Sequence, residues 1–218
     1  MMKKYLQSAR DPISSLTHFY GAGFSLLGLC LLLAKSLLQP QPEPVKVLSS
    51  ALFGLSLIAL YTASAVYHFV KVSDKTLLVL RKLDHSMIFV LIAGTYTPIM
   101  LNYLPPPKNT FFTAFIWAFA LCGIVMKLCW FGAPRWLQTS MYLLMGWAVL
   151  IDVSVFTRMS GGAIALLILG GVSYTIGGVI YMIKKPSFSN GFGFHELFHV
   201  FVLLGSLFHF LLCYIYVV

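Results

Sequence analysis

Seven long apolar stretches, separated by short polar or proline-rich segments, dominate this sequence. Each stretch holds about 20 residues or more, which is the length that an α-helix needs to cross the hydrocarbon core of a bilayer. A helix also satisfies its own backbone hydrogen bonds, as a segment surrounded by lipid must. The sequence therefore predicts a single all-α domain over residues 1–218, built as an integral membrane bundle of seven transmembrane helices.

The predicted helices cover residues 12–38, 47–70, 83–103, 110–130, 136–156, 163–183 and 194–217. A short polar segment, residues 1–11, precedes the first helix. Its last residue, Asp11, is a candidate N-cap, because Pro12 suits the first helical position. No signal peptide is expected, since the first apolar stretch is longer than the apolar core of such a peptide.

The scarcity of charge supports a membrane protein and argues against a soluble one. Only 10% of the residues are charged, whereas 59% are hydrophobic, and soluble domains carry about 25% charged residues. We therefore expect membrane lipids around most of the surface. The net charge of +9 does not indicate nucleic-acid binding, because the basic residues occur singly or in pairs between apolar stretches and form no basic patch.

The distribution of lysine and arginine predicts how the chain is oriented. With the N-terminus in the cytoplasm, eleven of these residues fall on the cytoplasmic side: Lys3, Lys4, Arg10, Lys71, Lys75, Arg81, Lys82, Lys127, Arg135, Lys184 and Lys185. Four fall on the outer side: Lys35, Lys46, Lys108 and Arg158. Cytoplasmic loops carry the excess of basic residues in membrane proteins, so we predict a cytoplasmic N-terminus and an outer C-terminus.

Ionisable residues inside a membrane are costly and mark functional sites by default. Ser64 and His68 lie four residues apart at the end of the second predicted helix, and His195 and His199 have the same spacing at the start of the seventh. Asp84 lies in the first turn of the third. The predicted topology places all five residues at one depth, just below the cytoplasmic surface. Three imidazoles and a carboxylate at one depth suit a zinc site with an open fourth position.

Two of these residues also have a structural interpretation. Asp84 could cap its helix or pair with Arg81 or Lys82, and Ser64 could be a small residue at a helix contact. Taken singly, neither residue distinguishes a structural role from a functional one. The metal-site hypothesis depends on their combination with the three histidines.

The remaining histidines are predicted to lie outside the site. His209 is about 21 Å from His195 along the helix, at about 1.5 Å per residue, and His18 in the first helix is expected to pack or hydrogen-bond. His85 follows Asp84 by about 100° around its helix. If Asp84 faces the metal, His85 therefore faces elsewhere.

Residues 195–199 also match the pattern H-E-x-x-H, in which two histidines bind zinc and the glutamate acts as a general base. Glu196 flanks the face that carries His195 and His199, so this role is geometrically possible. The pattern leaves an intramembrane metalloprotease open as an alternative.

The chain resembles the bacterial hemolysin III-type proteins, which belong with the adiponectin and progestin receptors in one superfamily of seven transmembrane helices. The resemblance covers nearly the whole chain. The motifs that carry it are Ser64-x-x-x-His68, Leu83-Asp84-His85, Ala93-Gly94-Thr95-Tyr96-Thr97-Pro98, Met145-Gly146-Trp147, His195-x-x-x-His199 and Phe208-His209-Phe210.

The resemblance implies that His68, His195 and His199 bind zinc, with Asp84 and Ser64 beside the metal in catalytic roles. It also implies a multi-pass protein of the bacterial inner membrane, with a ceramidase-like activity that hydrolyses a lipid amide or ester at the cytoplasmic leaflet. In the relatives, the residues between the last two histidines vary, which favours an incidental role for Glu196.

Two further functions stay open at this point. The first is a non-enzymatic membrane-homeostasis protein or sensor, in which zinc holds helices together. The second is a pore-forming hemolysin, against which the sequence argues because no predicted helix carries a continuous polar stripe. The oligomeric state is not predicted.

Overall fold

The structure is a computed structural model that describes residues 8–186 and 192–218. Proline and serine residues begin several of its helices. Pro12 and Pro44 each occupy the first position of a helix, where the missing backbone N–H costs nothing. Ser73 caps the third helix, and its side chain accepts a hydrogen bond from the backbone N–H of Thr76. Residues 1–7 of the predicted polar N-terminal segment lie outside the described part.

Seven α-helices have their bounds within the described residues. They are α1 (Pro12–Leu37), α2 (Pro44–Phe69), α3 (Asp74–Tyr103), α4 (Lys108–Cys129), α5 (Arg135–Gly146), α6 (Gly161–Ile183) and α7 (Phe194–Leu212). Two 3₁₀ segments, Ala148–Ile151 and Val153–Arg158, follow α5, and a π-helical turn, Cys213–Val217, continues α7. The described part contains no β-strand, so the all-α prediction is confirmed.

Five of these helices are long and apolar enough to cross a bilayer, namely α1, α2, α4, α6 and α7 with its π-helical turn. The other two helices, α3 and α5, differ from these five in length, since α3 is longer and α5 is shorter. Helix α3 is the longest, with 30 residues, and neighbouring helices enclose most of its second half. Helix α5 has only 12 residues.

The prediction that the third helix begins near Leu83 is wrong. Helix α3 begins at Asp74, directly after the Ser73 cap, because a good N-cap outweighs the polar character of the residues that follow it. Asp84 is consequently the eleventh residue of α3 and lies about 15 Å from its start, at about 1.5 Å per residue. The sequence had placed it in the first turn.

The prediction of one continuous helix over residues 136–156 is also wrong, and Tyr96 of α3 explains the interruption. Its hydroxyl group donates a hydrogen bond to the carbonyl oxygen of Gly146 at 2.7 Å and accepts one from the backbone N–H of Val149 at 2.8 Å. A side chain that inserts into the backbone hydrogen-bond ladder in this way ends or kinks an α-helix. The chain continues from there as two 3₁₀ segments.

Small side chains, rather than large apolar ones, form the inner face of α1. Its buried residues are Ser14, Ser15, His18, Gly21, Ser25, Gly28, Leu32 and Ser36. The large residues Phe24 and Leu27 point outward, with 71% and 56% of their surface exposed. Small residues let helices approach closely where lipid surrounds the bundle, and α1 packs in this way against α2 and α7.

Contacts between helix termini define two ends of the bundle. At one end, which we call the histidine end, Asp11 N–H donates to the His68 carbonyl at 2.9 Å and Arg135 donates to the Tyr181 carbonyl at 3.1 Å. The start of α1, the end of α2, the start of α5 and the end of α6 therefore meet there.

At the other end, which we call the far end, Tyr103 donates to the carbonyl of Tyr216 at 2.9 Å, and Lys108 pairs with Asp152 at 2.8 Å. The end of α3, the start of α4 and the end of α7 meet there. Since Arg135 lies at the histidine end and Asp152 at the far end, the interrupted segment after α4 runs the length of the bundle.

Candidate metal centre and adjoining cavity

Three histidines converge at the histidine end of the bundle. His68 lies in the last turn of α2, and His195 and His199 lie in the first two turns of α7. One ring nitrogen from each lies within 4.8 Å of the others, and the Nε2 atoms of His68 and His195 are 3.2 Å apart. His68 and His199 are buried and His195 is half-buried. The structure thus brings together the three predicted metal ligands, at distances that one bound ion could bridge.

Asp11 orients the ring of His68. Its carboxylate oxygen lies 2.9 Å from His68 Nδ1 and 2.8 Å from the guanidinium of Arg10. The hydrogen bond from His68, together with the charge of Arg10, lowers the pKa of the Asp11 carboxyl group to about 2 in spite of partial burial. An ionised carboxylate at Nδ1 favours the tautomer that leaves the Nε2 lone pair for a metal, as in many carboxylate–histidine–zinc arrangements. Asp11 is the N-cap residue of α1, as predicted, but its side chain makes no capping hydrogen bond and contacts His68 instead.

His199 is oriented in a similar way from α1. Its Nδ1 lies 3.4 Å from the hydroxyl of Thr17. This contact leaves the Nε2 atom of His199 for the cluster. Two of the three rings are therefore held at Nδ1 by residues at the start of α1.

Ser64 and Asp84 lie beside the cluster. Both residues line the same cavity as His195 and His199. The nearest described ionic partner of Asp84 is His85 Nδ1, at 3.6 Å.

The structural alternatives that the sequence left open for Asp84 are not observed. It lies well inside α3 and caps no helix. Arg81 stacks on the Phe131 ring and Lys82 donates to the Leu128 carbonyl, so the described part contains no ion pair from either residue to Asp84. Its carboxyl group faces the cavity instead.

Glu196, in contrast, is used to cap α7. One of its carboxylate oxygens accepts a hydrogen bond from Ser14 at 2.6 Å, and the other accepts from the backbone N–H of Gly193 at 2.9 Å. It does not line the cavity. This geometry favours a structural role for Glu196 over that of a general base.

A cavity of about 570 Å³ extends from the histidines towards the far end. Its volume is in the range of ligand-binding sites, about 300–1,000 Å³. Apart from the polar group at the histidine end, its wall is mostly apolar. Lining residues along its length include Leu60, Ile88, Leu91, Ile99, Met100, Leu143, Phe156, Ile164 and Val202.

The cavity also reaches the outer surface of the bundle. Three of its lining residues, Trp147, Leu150 and Ile168, are exposed by 36%, 54% and 49%. They lie where the interruption of α5 faces α6. A molecule in the surrounding bilayer would meet the cavity at this gap.

Comparison with known proteins supports the same assignment as the motifs. The sequence model of a family described as "Haemolysin-III related" matches residues 6–210. The chain belongs to this family. It is 38% identical over 161 residues to "Hemolysin-3 homolog" of Bacillus subtilis (strain 168), which covers 73% of each chain. It is 31% identical over 209 residues to "Hemolysin-3" of Bacillus cereus, which covers 94% of this chain and 91% of that protein.

Two residues of this haemolysin-III family member belong to the site although the sequence had not placed them there. Asp11 contacts His68, and His18 stacks on His199 with 3.6 Å between ring centroids. Both lie on the face of α1 that also carries Ser14, four residues before His18 and three after Asp11. This spacing was a usable signal, because residues three and four apart share a helix face.

We expect the Asp11→Asn variant to bind Zn²⁺ about 10- to 100-fold more weakly than the wild type, the usual effect of removing such a carboxylate. Asparagine keeps the shape of the side chain but lacks the charge that favours the Nδ1–H tautomer of His68. The measurement is competition for Zn²⁺ against a calibrated chelator in detergent. The control is Asp152→Asn, which removes a carboxylate at the far end; equal weakening in both variants would contradict the assigned role of Asp11.

Proposed function

We propose that this haemolysin-III family protein is a zinc-dependent hydrolase that acts on a lipid amide or ester at the cytoplasmic leaflet. The observation that carries the proposal is the position of the three histidines, Ser64 and Asp84 at the polar end of an otherwise apolar cavity. Such a cavity suits a molecule with a polar head and an apolar chain.

The donor set of His68, His195 and His199 fits zinc. Three neutral imidazole nitrogens are a common set of protein ligands in catalytic zinc sites, and hydrogen bonds from Asp11 and Thr17 support two of the rings. When bound there, zinc would polarise a substrate carbonyl and acidify a water molecule.

Residues of the chain would supply the general base, the oxyanion donor and the binding site for the acyl chain. The Asp84 carboxylate would accept a proton from water as general base. The Ser64 hydroxyl, which lines the same cavity as Asp84, would donate its one O–H to the oxyanion that develops on the substrate. The apolar wall of the cavity would bind the acyl chain and keep bulk water from the reacting groups.

A non-enzymatic role with structural zinc is the second candidate, and one observation favours it. The cluster joins the end of α2 to the start of α7, and Asp11 and Thr17 tie both to α1. An ion at this junction would hold three helices together even if no reaction took place.

We also propose that the chain crosses the membrane seven times, with its N-terminus in the cytoplasm. Helix α5 spans about 18 Å, at about 1.5 Å per residue. The two 3₁₀ segments after it, of 4 and 6 residues, extend this by up to about 20 Å, at about 2.0 Å per residue. Together they are long enough for a hydrocarbon core of about 30 Å, and the basic residues concentrate at the histidine end.

Single cysteines test this topology in a variant whose four native cysteines are replaced by alanine. In intact cells we expect a membrane-impermeant maleimide to label Gln41→Cys, which lies between α1 and α2. It should label Lys75→Cys, which lies at the start of α3, only after the cells are opened. The opposite pattern would show that the orientation is inverted.

Elemental mass spectrometry of the purified protein in detergent tests the metal. We expect about one zinc ion per wild-type chain and none in His195→Ala, because two remaining imidazoles cannot complete a three-ligand site. His209→Asn is the matched control: it changes a buried histidine remote from the cluster and should keep its zinc. A wild type free of metal after chelator-free purification would contradict the zinc assignment.

Hydrolysis of long-chain acyl amides and esters tests the enzymatic proposal. Asp84→Asn should lower kcat by about 10²- to 10⁴-fold, as expected for loss of a general base, with its zinc content unchanged. Glu196→Gln should stay within a few-fold of the wild type.

The reverse result, in which Glu196→Gln is inactive and Asp84→Asn active, would instead support the chemistry of an H-E-x-x-H metalloprotease. A zinc-loaded wild type that hydrolyses no member of either substrate class would leave the structural role of the metal as the better explanation.

A further inference from the structure

His18 of α1 is part of the site without belonging to the set of three ligands. Its ring stacks on that of His199, with 3.6 Å between centroids and 8° between planes, and meets the Tyr61 ring edge-on at 5.0 Å. It is 3% exposed. The three-histidine cluster does not include it, so its place beside the metal ligands calls for another explanation.

The ring nitrogens of His18 distinguish it from the other five histidines. Neither nitrogen has a hydrogen-bond partner in the described part of the chain. Each of the others has at least one described partner: Asp11 for His68, Arg81 and Tyr181 for His85, His68 for His195, Thr17 for His199, and Gly205 for His209. A buried polar group without a partner is costly and rare in native proteins.

The position of His18 relates this property to the cavity. His18 lines the cavity together with Ser64, Asp84, His195 and His199. These residues form the polar end, beyond which the wall is mostly apolar. A neutral imidazole carries one N–H donor and one acceptor nitrogen. A ligand that places its head group at this end would therefore lie beside a histidine whose ring nitrogens are buried and have no partner in the described part of the chain.

We propose that His18 binds the head group of the chain-bearing ligand in the cavity, by donating a hydrogen bond from its ring N–H to the carbonyl oxygen. The stacking on His199 and the edge contact with Tyr61 hold the ring in place. The ligand class rests on the proposed function, but the hydrogen bond does not require that any substrate be hydrolysed.

The test compares two uncharged ligands that cannot be hydrolysed, a long-chain methyl ketone and the 2-methyl-1-alkene of equal length. They differ in one group alone, because a methylene group replaces the carbonyl oxygen and removes the hydrogen-bond acceptor. Tritium-labelled forms of both are used in equilibrium dialysis with the zinc-loaded, full-length protein in detergent. The variants are His18→Phe, which keeps an aromatic ring for the stack but has no donor, and His18→Gln, which keeps an N–H donor.

We expect His18→Phe to weaken ketone binding by about 3- to 10-fold, the range for loss of one neutral hydrogen bond, and to leave alkene binding unchanged. His18→Gln should restore part of the loss. Zinc content should be the same in all three proteins.

Four results would overturn the inference. Unchanged ketone binding in His18→Phe would show that the hydrogen bond is not made, and an equal loss for ketone and alkene would indicate a packing role. Loss of zinc in His18→Phe would place His18 in the metal centre. A wild type that binds neither ligand would exclude the ligand class. This binding experiment does not measure turnover. A failure of the hydrolase proposal would be detected separately, in the hydrolysis assay.

Discussion

Hydrogen bonds from the start of α1 determine where the three clustered histidine rings of this protein stand. Asp11 contacts His68 of α2, Ser14 donates a hydrogen bond to Glu196 at the start of α7, and Thr17 contacts the ring of His199. Ser14, His68 and His199 are buried, and a buried polar group without a hydrogen-bond partner is costly. The small residues on the inner face of α1 allow it to come close enough to both helices. The cluster therefore depends on a helix that supplies none of its three nitrogens.

Much of this arrangement could be predicted from the sequence, because a chain surrounded by lipid can adopt only a few kinds of secondary structure. The all-α class followed from the length of the apolar stretches, and the four-residue spacing of His195 and His199 placed both rings on one helix face. The nearness of His68 followed from topology: α2 ends where α7 begins. Ser64 lies one turn before His68 on α2, and Asp84 lines the same cavity, although it lies about 15 Å from the start of α3 and not in its first turn.

The errors arose where a contact between distant residues overrides a local pattern. The sequence around residue 146 does not show that Tyr96, fifty residues earlier, hydrogen-bonds to the carbonyl group of Gly146 and ends α5. Asp11 follows the usual pattern of an N-cap, yet a histidine 57 residues away binds its carboxylate. His18 was expected to pack or hydrogen-bond and does pack, but a single histidine in an apolar helix does not show that the ring opposite it is His199. Each of these partners becomes known only when the helices are assembled.

The gap beside the interrupted α5 has a consequence for kinetics. A molecule that reaches the histidines between Trp147 and Ile168 never passes through water, so its effective concentration is its mole fraction in the bilayer. Adding inert lipid or detergent at constant total ligand would then slow its arrival by surface dilution, while the volume of buffer would have no effect. The gap exists because the hydrogen bond between Tyr96 and Gly146 interrupts α5. Affinity for this cavity should therefore be expressed as a mole fraction in the bilayer and not as a concentration in water.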